Sequence, residues 1–176
     1  EMFKELQAHD VVSWTSLIGG NVEKGHAEEA LNCFEQMQSE GISPDPVTFI
    51  CILNACAKTR AIDKGKQIHE EMMDRGLIGT VDVLGNALVD MYAKCGALAM
   101  AKNVINDLPS RDIVSWSTLI SGYAQQGQGQ DALNSFELMK CDGVSPNGIT
   151  FLSVLNACSH SGLVDQGQMH FENMSQ

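Results

Sequence analysis

The chain has 176 residues, 44% of them hydrophobic, enough for one ordinary domain with a buried core. Twenty-two acidic residues against eleven basic ones leave a net charge of −11, the wrong sign for a protein whose affinity rests on phosphate contacts. No apolar run approaches the roughly 18 residues of a membrane-spanning helix, and the opening "EMFKELQAHD" is charged and amphipathic rather than signal-like.

In chain order, the first predicted element is a helix opening after Asp10, which occupies an N-cap position. Trp14, Leu17, Ile18 and Asn21 recur at i, i+3, i+4, i+7, one stripe of an amphipathic helix whose first turn takes in "VVSW". A break at Gly25 leads to a second helix with Ala30, Leu31, Phe34 and Met37 on one side, stopped by Gly41 and Pro44. "RGLIGT" at 75–80 closes the next segment and "LPSR" at 108–111 a third, giving lengths of about 35, 36 and 31 residues. The fourth opens after Asp112 and closes at Pro146, about 35 residues again, and no stretch alternates as a strand would.

The fourth segment repeats the first. Shifting the sequence by 102 places residues 10–74 on 112–176 with about 27 of 65 positions identical, including Trp14/Trp116, Leu17/Leu119, Phe34/Phe136, Pro44/Pro146 and "LNAC" at 53–56 and 155–158. A helix pair of this size cannot bury its apolar stripe alone, so neighbouring pairs must stack into an all-α solenoid.

Little else in the chain suggests chemistry. Cys33, Cys51, Cys56, Cys95, Cys141 and Cys158 contain no C-x-x-C pair and read as buried, reduced thiols that behave as small hydrophobes. His69-Glu70-Glu71 starts like a metalloprotease helix, but position 73 is Met where a second His is required. "GQGQ" at 127–130 is a helix-to-helix turn rather than a phosphate loop, because no strand precedes it. No nucleophile–base constellation can be assembled, so the residues predict no enzymatic activity, cofactor, metal or small-molecule substrate.

The spacing Trp116, Leu119, Tyr123, Ala132, Phe136, Pro146 is similar to tetratricopeptide repeats, which keep a constant period of about 34. The alternation of three lengths instead resembles pentatricopeptide repeat proteins of the plant type, which cycle standard, long and short motifs. "DVVSWTSLIGG" and "DIVSWSTLISGYAQQG" look like standard motifs, and "VTFICILNACAKTRAIDKGKQIHEEMMDRGL" like a long one. "DVLGNALVDMYAKCGALAMAKNVINDLPSR" looks like a short one. The resemblance covers essentially the whole chain and implies a single right-handed α-solenoid superhelix: the tail of a short repeat at 1–9, a standard repeat at 10–44, a long one at 45–80, a short one at 81–111, a standard one at 112–146 and a truncated long one at 147–176.

That family binds single-stranded RNA at about one base per repeat. The resemblance implies that the fifth residue of the first helix and the last residue of the repeat read a base edge, while the second packs against base faces. The sets carried over are Val12, Thr15 and Asp45; Val83, Asn86 and Asp112; and Val114, Ser117 and Asn147. By the family's pattern Thr/Asp resembles a guanine reader, Asn/Asp a reader of uracil and then cytosine, and Ser/Asn an adenine reader. The long motif has Ile50 and Val81 at these places and the truncated one Leu152, which cannot hydrogen-bond a base, so they space rather than read. With RNA parallel to the protein the expected target is 5′-G-N-(U>C)-A-3′, and three readers predict weak binding.

The resemblance further implies a role in organellar RNA processing or cytidine-to-uridine editing, in chloroplast or mitochondrion, with single-stranded RNA and other editing factors as partners. Neither H-x-E nor C-x-x-C of a cytidine deaminase occurs, so these residues would address an activity held elsewhere. Plainer alternatives stand beside each assignment. Asp45, Asp112 and Asn147 are explained by N-capping alone. Thr15, Asn86 and Ser117 lie off the core stripe, where exposure is the neutral reading, and the three valines could be packing residues. The chain as a whole could be a protein-interaction scaffold of tetratricopeptide kind.

Overall fold

The computed structural model describes residues 10–174, so the expected repeat tail at 1–9 lies outside the described residues. They form ten α-helices: α1 Val11–Glu23, α2 Ala27–Ser39, α3 Pro46–Thr59, α4 Ile62–Asp74, α5 Asp82–Lys94, α6 Leu98–Asp107, α7 Ile113–Gln125, α8 Gly129–Cys141, α9 Gly148–His160 and α10 Val164–Met174. No strand occurs among the described residues. The chain divides into two compact units, residues 1–91 and 92–176.

Within the first unit α1 packs on α2 and on α3, which in turn packs on α2 and α4. The apolar stripe foreseen for α1 is real but rotated slightly: Trp14, Ile18 and Val22 are buried, whereas Leu17 and Asn21 are only half-buried. The buried residues follow an i, i+4, i+8 spacing, which places Val22 rather than Asn21 at the end of the stripe. Ala27, Ala30, Phe34 and Met37 form the buried side of α2, and Phe34 meets Phe49 of α3 with ring centroids 6.4 Å apart. Within the second unit α7 packs on α6, α8 and α9, and α9 on α8 and α10. Phe136 and Phe151 repeat the aromatic contact at 5.6 Å.

Helix ends are built by the residues that predicted them. After α2, Gly41 adopts φ +75°, with Gly41 N donating to Gln38 O at 3.0 Å and Ile42 N to Met37 O at 3.1 Å. This is the paired 5→2 and 6→1 closure that needs a left-handed residue. Gly143 repeats it after α8, its φ being +76° and Val144 N donating to Met139 O at 3.1 Å. These stops turn the chain sharply, so that α2 and α8 are each followed by a short run that delivers an N-cap, Asp45 or Asn147, to the next first helix.

Candidate nucleic-acid interface

The three carried-over cap residues are caps in fact. Asp45 enters α3 in extended backbone, and its Oδ1 accepts from Thr48 N at 2.7 Å. Asp112 accepts from Ser115 N at 2.8 Å, and Asn147 Oδ1 accepts from Thr150 N at 3.0 Å. The same holds for Asp10, where the Ser13 backbone N–H holds the carboxyl below its usual range. Capping of this kind stabilises a helix by about 1 kcal/mol, which is sufficient reason for the residue type without any ligand.

The hydroxyls that the sequence placed off the core are not exposed. Thr15 is half-buried and Ser117 is buried, at 9% exposure. Thr15 Oγ1 shares a hydrogen bond of 2.6 Å with Thr48 Oγ1, and Thr48 Oγ1 donates to Asp45 Oδ1 at 2.8 Å. Thr15 and Asp45, on different segments of the chain, are therefore joined through one hydroxyl. The second unit repeats the arrangement: Ser117 Oγ lies 2.8 Å from Thr150 Oγ1, which donates to Asn147 Oδ1 at 3.0 Å. Thr48 and Thr150 are completely buried. Neither was singled out from sequence, although both recur in "TF" at the same offset from the cap.

Asn86 is half-buried on α5 in the first unit, and Asp112 caps α7 in the second. Where Ile50 and Val81 replace polar readers, the residue corresponding to Thr48 is Leu84, also fully buried and without a hydroxyl.

The aliphatic members of each set do not pack in the core. Val12, Val83 and Val114 are 65%, 57% and 54% exposed, so the packing alternative fails for all three. Val47 and Ile149, at the same offset from their caps, are exposed to the same degree and were missed, because polar readers do not accompany them. Leaving five branched apolar side chains in water at matched positions forfeits burial energy at each.

Charge is segregated by helix. Of the acidic side chains within helices, three (Glu23, Asp82, Asp90) lie on the first helices of the pairs and twelve on the second helices. Glu28, Glu29 and Glu35 of α2 and the following Glu40 are exposed. Thr15 and Ser117 thus sit on helices with at most one acidic residue, whereas Asp45 and Asp112 are carboxylates and α5, which carries Asn86, holds Asp82 and Asp90, so the objection raised by the net charge is reduced only in part. Among the described residues no group of three or more His, Cys, Asp or Glu could hold a metal ion, and no helix is long and apolar enough to cross a membrane.

Known proteins match along the whole chain. The profile of the PPR repeat family matches residues 9–58 and 111–160, and that of the PPR repeat matches residues 47–77, 86–113 and 149–176. The chain is 44% identical over 174 residues to the chloroplastic pentatricopeptide repeat-containing protein DOT4 of Arabidopsis thaliana, covering 98% of this chain and 20% of that one. It is 41% identical over 175 residues to a mitochondrial pentatricopeptide repeat-containing protein of the same plant, covering 98% and 27%. It therefore spans about a fifth to a third of the length of such relatives. Its fold is that of maize PPR10, with a TM-score of 0.82 at 24% identity over 99% of this chain and 26% of the other. PPR10 in complex with an 18-nt psaJ RNA element gives 0.76 at 18% identity, over 93% and 24%. Family profiles, relatives and fold agree with the capped helix pairs described above: the chain belongs to the pentatricopeptide repeat family.

Proposed function

We propose that this chain binds single-stranded RNA and reads it as 5′-G-N-(U>C)-A-3′, through Thr15 with Asp45, Asn86 with Asp112, and Ser117 with Asn147. It would serve as the site-recognition part of an organellar RNA processing or editing factor, in chloroplast or mitochondrion like the relatives above, addressing chemistry done elsewhere. The observation that carries this reading is the recurrence, in both units, of an exposed valine one turn from a hydroxyl that is tied to the next cap. Val12 and Thr15 are i, i+3 neighbours on one face, as are Val114 and Ser117. An exposed branched side chain offers a surface for a base face, and the adjacent polar pair offers donors and acceptors for its edge. The complex of the similarly folded PPR10 with RNA supports the class of ligand.

Replacing Thr15 by Asn while keeping Asp45 moves the first-base preference from G toward U, measured by titrating both RNAs against both proteins. An unchanged ranking sinks the assignment of these letters. Filter binding at varied salt tests the class itself, since RNA affinity that falls as salt rises reports phosphate contact. Absence of detectable RNA binding favours the protein-interaction scaffold.

A further inference from the structure

We infer that Thr48 and Thr150 are positioning residues that fix the hydroxyl half of each reading pair as an acceptor, and so sharpen the purine preference that Asp45 or Asn147 completes. The inference rests on the reading above and deepens it.

A hydroxyl has one proton to give. Thr48 Oγ1 lies 2.8 Å from Asp45 Oδ1, and a carboxylate oxygen can only accept, so the Thr48 proton must lie on that line. Were it turned elsewhere, two lone-pair-bearing oxygens would face each other at hydrogen-bonding distance inside a buried site. Thr48 then has no proton left for Thr15, yet the two hydroxyl oxygens are 2.6 Å apart. Thr15 must donate inward. Its proton is consumed, and what it turns to an approaching base is an acceptor. The second oxygen of Asp45 is an acceptor as well. Two adjacent acceptors match the Watson–Crick edge of guanine, which offers N1–H and N2–H side by side.

The second unit differs by one atom type. Asn147 Oδ1 is identified as oxygen because the Thr150 backbone N–H, which can only donate, points at it from 3.0 Å. The Thr150 hydroxyl proton goes to the same oxygen at 3.0 Å. Ser117, 2.8 Å from Thr150 Oγ1, is forced to donate inward just as Thr15 is. The outward set is now an acceptor on Ser117 and a donor on Asn147 Nδ2. An acceptor beside a donor matches adenine, whose edge offers N6–H and the N1 lone pair. In both units the buried threonine touches no base; it dictates which way the reader's proton points. The non-reading Ile50/Val81 pair, with Leu84 at the same offset, has no proton to orient and no hydroxyl to orient it.

Replacing Thr48 by Val keeps the shape and removes the proton acceptor for Thr15, whose hydroxyl is then free to donate to an acceptor such as adenine N1. The test uses short single-stranded RNAs carrying GCUA, ACUA and GCUG in identical flanks, titrated against the wild type, Thr48→Val, Thr48→Ser and Thr150→Val, with circular dichroism checking the fold. The expected result is a fall of about five- to tenfold in the G-over-A ratio at the first base for Thr48→Val, the scale of one hydrogen bond. The A-over-G ratio at the fourth base stays unchanged in that variant. Thr150→Val does the reverse, and Thr48→Ser, which keeps the hydroxyl, restores the wild-type ratio. If Thr48→Val does not fold, Thr150→Val carries the same test in the other unit. A wild type that distinguishes these RNAs while folded Val variants keep both ratios overturns the inference and leaves the reading intact. A wild type with no base preference overturns the reading and the inference with it.

Discussion

The indole N–H of Trp14 donates to Glu40 Oε2 at 3.2 Å. The duplicate site breaks this pairing. The residue at the position of Glu40 is Asp142, one methylene shorter, and it is held by Arg111 at 2.9 Å. Trp116 Nε1 is buried with no hydrogen-bond partner. An unmet buried donor carries the full cost of its desolvation, about 1–3 kcal/mol. Trp116→Phe, which discards that donor, should therefore be at least ~1 kcal/mol less destabilising than Trp14→Phe, which discards a made bond. Denaturant unfolding of the two variants checks it, and equal losses would count against the pairing.

Asp45 offers a second, independent check on the polarity of the first pair. In Asp45→Asn the oxygen of the new amide stays on the Thr48 N–H, because that group can only donate, and the NH2 group turns outward. The first reading pair then becomes acceptor plus donor, like Ser117 with Asn147. First-base preference is expected to move from G toward A by about tenfold, with the fourth base unaffected. A competition titration reads both ratios at once.

His170 links pH to stability in the second unit. It is buried edge-on against Phe136, with ring centroids 5.2 Å apart. Burial lowers its pKa below the usual value, and Lys140 works in the same direction while Glu137 opposes both. A histidine with a lowered folded pKa binds fewer protons folded than unfolded, so its contribution is complete above about pH 6.5 and is lost as pH falls below it. Unfolding midpoints should drop on acidification through that range, and His170→Phe should flatten the dependence. A variant that keeps the wild-type slope would assign the effect to other groups.

Thiol chemistry should follow burial. Against the expectation that all six thiols are buried, only Cys56 and Cys158 are; Cys33, Cys51 and Cys95 are half-buried and Cys141 is exposed. Burial raises the thiol pKa of Cys33, Cys51 and Cys158, and the carboxylates of Asp45 and Glu23 add to it at Cys51. An alkylating reagent at neutral pH should mark Cys141 first and reach Cys56 and Cys158 only on unfolding. Mass spectrometry over time separates these classes, and early modification of Cys158 would contradict the packing.

What could be read from sequence was whatever depends on neighbours along one helix. Asp10 and Asp112 were legible as caps because the bond they make spans three residues. Trp14, Ile18, Phe34 and Met37 were legible as core because helical periodicity places them on one side. The fate of Thr15 and Ser117 was not legible. Their partners, Thr48 and Thr150, lie 33 residues on, and only the packing of α1 on α3 and α7 on α9 brings them together. A polar residue at such a site reads as surface until its buried partner is known. The same gap hid Val47 and Ile149, whose exposure is decided by what does not pack over them.

The sorting of acidic side chains onto the second helices has a consequence for discrimination among transcripts. Retention of arbitrary nucleic acid grows with the number of phosphates a surface neutralises, and each such contact is indifferent to sequence. First helices that carry almost no charge forgo that indiscriminate grip. A larger share of whatever hold they have on a strand then comes from base faces and edges, where a wrong letter is felt. A weak binder of this kind gains its usefulness by repetition, adding pairs until the sum of small correct contacts exceeds a background kept deliberately low.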